Sequence, residues 1–146
     1  MSRVEVRPGV FVFDLGQNMV GWVRLKVQAS EGQEIKMRFA EMLDVDGGVY
    51  TGNLREAEAT ARYIAKGKGV ETWEPRFSFF GFRYVELSGL ENPFDDAITG
   101  VVVHSDLPRI GHFECSNALL NQLYSNTLWG AERQFSGNTD GLPTTG

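Results

Sequence analysis

Apolar and polar positions alternate most cleanly over Met19–Gln28, where Met19, Gly21, Val23, Leu25 and Val27 share one face and Trp22, Arg24, Lys26 and Gln28 the other. The pattern returns over Glu34–Met42, with Ile35, Met37 and Phe39 inward and Glu34, Lys36 and Arg38 outward. Two successive strands with one polar face each predict an antiparallel sheet. Val10–Asp14 reads as a short apolar strand before a turn at Gly16-Gln17-Asn18, and Ser30-Glu31-Gly32 and Asp44–Gly48 read as further turns. The LREAEATA run within Val49–Ala61 has helix-forming composition but no apolar stripe, so this span reads as a long connection holding one helical turn. Thr60–Ala65 resumes the strand pattern, Lys66–Gly69 is a hairpin loop, and Ser88–Asp96 is a loop containing Pro93. Ile98–His104 is a β-branched strand, and Gly111–Glu114 a shorter one.

The densest apolar stretch is Trp73–Leu87 (WEPRFSFFGFRYVEL), with six aromatic residues in fifteen positions. An extended chain places Phe80, Phe82 and Tyr84 on one face and Phe77, Phe79, Val85 and Leu87 on the other. A strand apolar on both faces belongs at the centre of a β-structure, with Gly81 expected as a bulge or a close backbone approach.

After Cys115 the period changes. Ser116 is placed to cap a helix over about Asn117–Gln134, whose apolar positions are Leu119, Leu120, Leu123, Tyr124, Leu128, Ala131 and then Phe135. With about eight or nine strands punctuated by glycine turns, the fold expected is a mainly β antiparallel sandwich or jelly roll followed by one amphipathic C-terminal helix. The boundaries expected are a β-sandwich over 1–114, a linker helix over 115–135 and a flexible tail over 136–146.

The 146 residues are 42% hydrophobic and 12% aromatic, enough for a core and too apolar for a disordered chain. A formal net charge of −5 argues against sequence-independent nucleic-acid binding and against an electrostatic membrane anchor. The single cysteine, Cys115, excludes an intramolecular disulfide and a cysteine-based zinc site, and only His104 and His112 are available for a histidine site. No cofactor or metal is expected. The N-terminus lacks the apolar run of a signal peptide and no segment is long enough to span a bilayer, which sets the expectation of a cytoplasmic protein.

Candidate chemistry is sparse. Asp44-Val45-Asp46-Gly47 resembles the start of a calcium loop, but Val49 and Arg55 occupy the positions that need glycine and glutamate, so a hairpin turn is the reading kept. His104, Ser105 and Asp106 are the residue types of a hydrolase triad, yet they are adjacent in the chain and no GxSxG elbow is present. The group with most to offer is Trp73 with Arg76 and Arg83, because sugars present apolar C–H faces with hydroxyl edges. The Tyr50–Arg55 loop, with Tyr50, Asn53 and Arg55, is a second candidate. The competing reading is a core strand whose arginines pair with Glu74 and Glu86. Trp22, on a polar face, is either a packing residue or an exposed platform.

Five blocks taken in order, DLGQNMVGWVRLKV, RFAEMLDVDGGVYTGNLREAEATARYIAKG, WEPRFSFFGFRYVEL, TGVVVHSDLPRIGHFECSN and LLNQLYSNTLWGAERQF, resemble the bacterial α-L-rhamnosidases of glycoside hydrolase family 78. The resemblance runs from about Val10 to Phe135. It implies a β-sandwich domain preceding a catalytic (α/α)6 barrel, with the helix after FECSN leading into that barrel. The chemistry it implies is inverting hydrolysis of terminal α-L-rhamnosides by two carboxyl groups roughly 6.5–9.5 Å apart. Those groups belong to the barrel. The acidic motif holding the general acid is missing after Phe135, where only Thr139-Asp140-Gly141 echoes the run leading to it, so no catalytic residue is carried onto this chain. Phe80 stands where such sequences commonly have histidine, which makes the local face more apolar.

Three readings follow. The chain is a non-catalytic accessory domain whose partner is the barrel, or an independent module binding rhamnose-containing glycans, or a structural domain forming homo-oligomers through its C-terminal helix.

Overall fold

The computed structural model describes residues 2–104, 108 and 110–134, with the side chains of 132–134 excepted. The chain divides into two compact units, Met1–Val102 and Val103–Gly146.

The first unit is an antiparallel β-sandwich of seven hydrogen-bonded strands: β1 (Ser2–Arg7), β2 (Val10–Gln28), β3 (Glu34–Ala40), β4 (Thr60–Ile64), β5 (Val70–Trp73), β6 (Phe80–Ser88) and β7 (Ile98–Val102). The path runs β1-β2-β6-β3-β4, and β5 and β7 both pair with β2. β2 makes this possible by its length of 19 residues. Its N-terminal half pairs with β1 and β6, and its C-terminal half with β7 and β5. The alternation in β2 and β3 places Met19, Val23, Leu25, Val27, Ile35, Met37 and Phe39 in one core with Phe82, Val85, Leu87 and Ile98.

β2 does not turn at Gly16-Gln17-Asn18 as its sequence predicts; it continues through a bulge. The β2–β6 register runs Asp14↔Tyr84 and then Met19↔Phe82, so Leu15–Asn18 lie opposite the single Arg83. The bulge also governs β6. Phe82↔Met19, Val85↔Phe13 and Leu87↔Phe11 all present the core face, so β6 exchanges inward and outward parity between Phe82 and Val85. Both parities of this strand are apolar because it changes faces. Gly81 pairs in register with Val20, and the expected irregularity falls at Arg83 instead.

The aromatic stretch is also not one strand. Trp73 ends β5, β6 begins at Phe80, and residues 74–79 between them are irregular. Pro75 lacks a backbone donor and Phe77 takes a positive φ of 61°, neither compatible with a continuous ladder. Phe77 and Phe79 are exposed rather than core residues. Phe80 stacks on Phe39 at 4.2 Å between ring centroids, and Phe82 meets the same ring edge-on at 5.0 Å.

One other expectation changes. β1 is an additional edge strand, exposed along nearly its whole length and so without a clear inward pattern. The Asp44–Gly48 turn forms as expected, closed by Asp44 N–H to Gly48 O at 2.8 Å, and the long connection holds one 3-10 turn, Gly52–Leu54.

In the second unit, α1 (Ala118–Gln134) is capped by Asn117 rather than Ser116, its Oδ1 accepting from Leu119 N at 3.0 Å. Asn121 bonds both backbone groups of Cys115, and Tyr124 packs on Phe113 while its hydroxyl donates to Gly111 O. Gly111–Glu114 does not form a strand; its segment lies against this helix through those contacts. Leu119, Leu120 and Leu123 are exposed. Ser105, Asp106, Phe135 and the 136–146 tail lie outside the described residues.

Candidate functional site

A surface that gathers aromatic and charged side chains lies where β5 ends. Trp22, Tyr63, Trp73, Glu74, Arg76 and Phe77 line an open concavity of about 950 Å³. Trp22 comes from the outward face of β2, Tyr63 from β4, and the rest from the end of β5 and the irregular segment after it. Tyr63 is buried under Trp73, with ring centroids 5.3 Å apart, and so supports the indole from below. Its hydroxyl donates to Glu71, which also accepts from the amides of Lys66 at 3.0 Å and Lys68 at 3.3 Å. That carboxylate closes the hairpin loop and is held below its ordinary pKa, chiefly by the tyrosine hydroxyl, while Tyr63 is raised by the same bond.

Glu74 is fixed from two sides. Trp22 Nε1 donates to Oε2 at 2.7 Å and Arg24 Nε to Oε1 at 2.6 Å. The Arg24 bond first, and the Trp22 bond second, depress the Glu74 pKa. Arg76 is exposed and makes no hydrogen bond or ion pair among the described residues, and Phe77 is fully exposed.

The arginines do not pair as the core-strand reading expects. Arg83 forms a two-pronged bond with Asp14, Nε to Oδ1 and Nη2 to Oδ2, both at 2.8 Å. Glu86, buried on the outward face, accepts from Arg7 at 3.1 Å and Arg38 at 2.9 Å. Arg83 also lies over the Tyr84 ring at 5.0 Å.

Of the residues singled out from the sequence, Trp73 and Arg76 line the same concavity, and Arg83 stands at the β2 bulge. Tyr50, Asn53 and Arg55 belong to the β3–β4 connection. There Arg55, at φ 53°, borders a smaller polar surface with Lys36, Arg38 and Arg62. Arg38 and Arg62 are already engaged, by Glu86 and Thr51 and by Glu34 and Glu58 respectively. Sequence reasoning missed Tyr63, Glu74 and Phe77 as lining groups. Glu74 adjoins Trp73 in the chain, but its partner Trp22 lies 52 positions away. Among the described residues no three His, Cys, Asp or Glu side chains are grouped to hold a metal, and no helix is long and apolar enough to cross a membrane.

Residues 4–104 match the family of the bacterial alpha-L-rhamnosidase concanavalin-like domain. The chain belongs to this family. An alpha-L-rhamnosidase of Streptomyces avermitilis is 51% identical over 132 residues, which are 90% of this chain and 13% of that protein. One from Formosa agariphila is 47% identical, covering 92% of this chain and 15% of the relative. The crystal structure of the Streptomyces avermitilis alpha-L-rhamnosidase complexed with L-rhamnose superposes with a TM-score of 0.88 at 50% identity, over 91% of this chain and 13% of that one. The rhamnosidase-family chain thus spans about one seventh of the length of these relatives, and corresponds to a small β-sandwich part of much larger glycoside hydrolases.

Proposed function

We propose that this chain serves as a non-catalytic accessory domain of an α-L-rhamnosidase-like glycoside hydrolase, supporting hydrolysis of terminal α-L-rhamnosides by a separate (α/α)6 barrel. The observation that carries this reading is the asymmetry of coverage: 90% of this chain matches 13% of the Streptomyces avermitilis relative. A module so small relative to its relatives supplies scaffold and surface, and the reacting carboxyl pair belongs elsewhere in such an enzyme. The exposed Leu119, Leu120 and Leu123 of α1 agree with a helix that meets a further domain.

The test is incubation of the purified chain with p-nitrophenyl α-L-rhamnopyranoside. Release of p-nitrophenol should stay at the buffer rate. Turnover that co-purifies with the chain and scales with its concentration would remove the non-catalytic reading.

A further inference from the structure

We propose that the concavity formed by Trp22, Trp73, Glu74, Arg76 and Phe77 is a carbohydrate-binding site that takes a pyranose ring. A pyranose needs an aromatic face for its C–H side and planar hydrogen-bonding groups for its hydroxyl edge, and both kinds of group line this surface. The carboxylate is preorganised: the Trp22 indole and Arg24 hold Glu74 in place, and each of its oxygens retains a lone pair for a hydroxyl. Trp73 is supported from beneath by Tyr63. Arg76 offers donors that the described residues leave unused.

Phe77 supplies an independent argument. A non-glycine residue at φ 61° is strained, and here the strain holds a fully exposed phenyl ring at the rim. Folding gains nothing from burying this ring, since it is not buried. A dry protein interface fits the surface less well, because covering it would strip water from Glu74 and from Arg76, which has no partner among the described residues. Sugar hydroxyls would meet both charges while the site stays wet.

The inference stands on these side chains and not on the rhamnosidase reading, and a titration reads binding where the turnover assay reads hydrolysis, so either can fail alone. The experiment is an NMR titration of the ¹⁵N-labelled chain with methyl α-L-rhamnopyranoside and, separately, methyl α-D-glucopyranoside. Sugar up to about 50 mM would reveal a Kd of roughly 1–10 mM. The indole signals of Trp22 and Trp73 should move with at least one glycoside, together with the amides of Glu74, Arg76 and Phe77, while the Trp129 indole stays still. Phe77→Ala and Arg76→Ala alter exposed groups and leave the fold intact; each should weaken binding by roughly threefold to tenfold. Silence with both sugars, or shifts indifferent to both substitutions, would overturn the proposal and leave the surface as an interface for another domain.

Discussion

Asp14 shows how much one side chain organises. It closes the β2 bulge by accepting the Gly16 amide at 2.7 Å and holds Arg83 in the gap the bulge opens. Its pKa lies below the ordinary carboxylate value, mainly through the Arg83 hydrogen bond, with burial opposing and the Gly16 amide assisting. Glu74 and Asp96 are depressed by Arg24 and Lys26 in the same way. A carboxylate with a folded pKa below its unfolded value contributes stability above the unfolded pKa and loses it as pH falls through the folded one. Urea midpoints should therefore be flat near neutrality and decline below about pH 4. Asp14→Asn should make that decline shallower, and an unchanged acid slope would contradict the assignment. Backbone geometry gives a second expectation. A Cβ on Gly21 would sit 1.9 Å from Val101 O, at the point where β7 joins β2. Gly21→Ala should cost about 2–4 kcal/mol in denaturant unfolding, since backbone on both sides must shift. A third concerns Glu86, which bridges Arg7 and Arg38 from a buried position. Glu86→Ala should cost about 2 kcal/mol, because both cations retain access to water once their partner is gone. These pairings were not legible in the sequence. Their partners lie 48 to 79 positions apart, and several carboxylates were equally available to each arginine.

Among elements, legibility followed how directly a local pattern fixes a local face. The Met19–Gln28 half of β2 and β3 are legible because each keeps one side more exposed and one in the core, so alternation records burial directly. β6 was misread because its apolar residues occupy both parities, which a strand covered on two sides and a strand that changes faces produce alike. Only the pairing with the bulged β2 distinguishes them. β1 was missed because an exposed edge strand has no inward pattern to find, and Gly111–Glu114 was called a strand on composition without a neighbour to pair with. The candidate site was half legible. Trp73 and Arg76 advertised themselves by residue type, whereas Tyr63 and Trp22 joined them only through the pairing of β2, β4 and β5 with their neighbours. α1 carries its own expectation. Its leucines at 119, 120 and 123 are exposed, and a helix of 17 residues with little burial is marginal in water. Hydrogen exchange should therefore protect amides of α1 far less than those of β3 and β6. Equal protection would mean that the helix is held by packing beyond what its exposed leucines indicate.

For the whole molecule, the question is what the sandwich needs from the rest of the chain. Among the described residues, every member of the hydrophobic core lies between Phe11 and Ile98. Phe13, Val23, Leu25, Ile35, Met37, Phe39, Phe82, Val85, Leu87 and Ile98 are among the side chains with essentially no exposure, and they come from four strands separated widely in sequence. A core assembled from non-local strands unfolds as one cooperative unit, because loss of β6 removes the partner of both β2 and β3. A chain ending at His104 should then keep the far-ultraviolet β spectrum and melt in a single transition. Its Tm should lie within about 4 °C of the 146-residue chain, the shift that roughly 1 kcal/mol produces in a domain of this size. Retention of that transition would show that the sandwich needs nothing beyond residue 104 to complete its core, leaving α1 available to a neighbouring domain. A drop of more than about 10 °C, or a broad transition without near-ultraviolet signal, would show that residues beyond 104 complete the core.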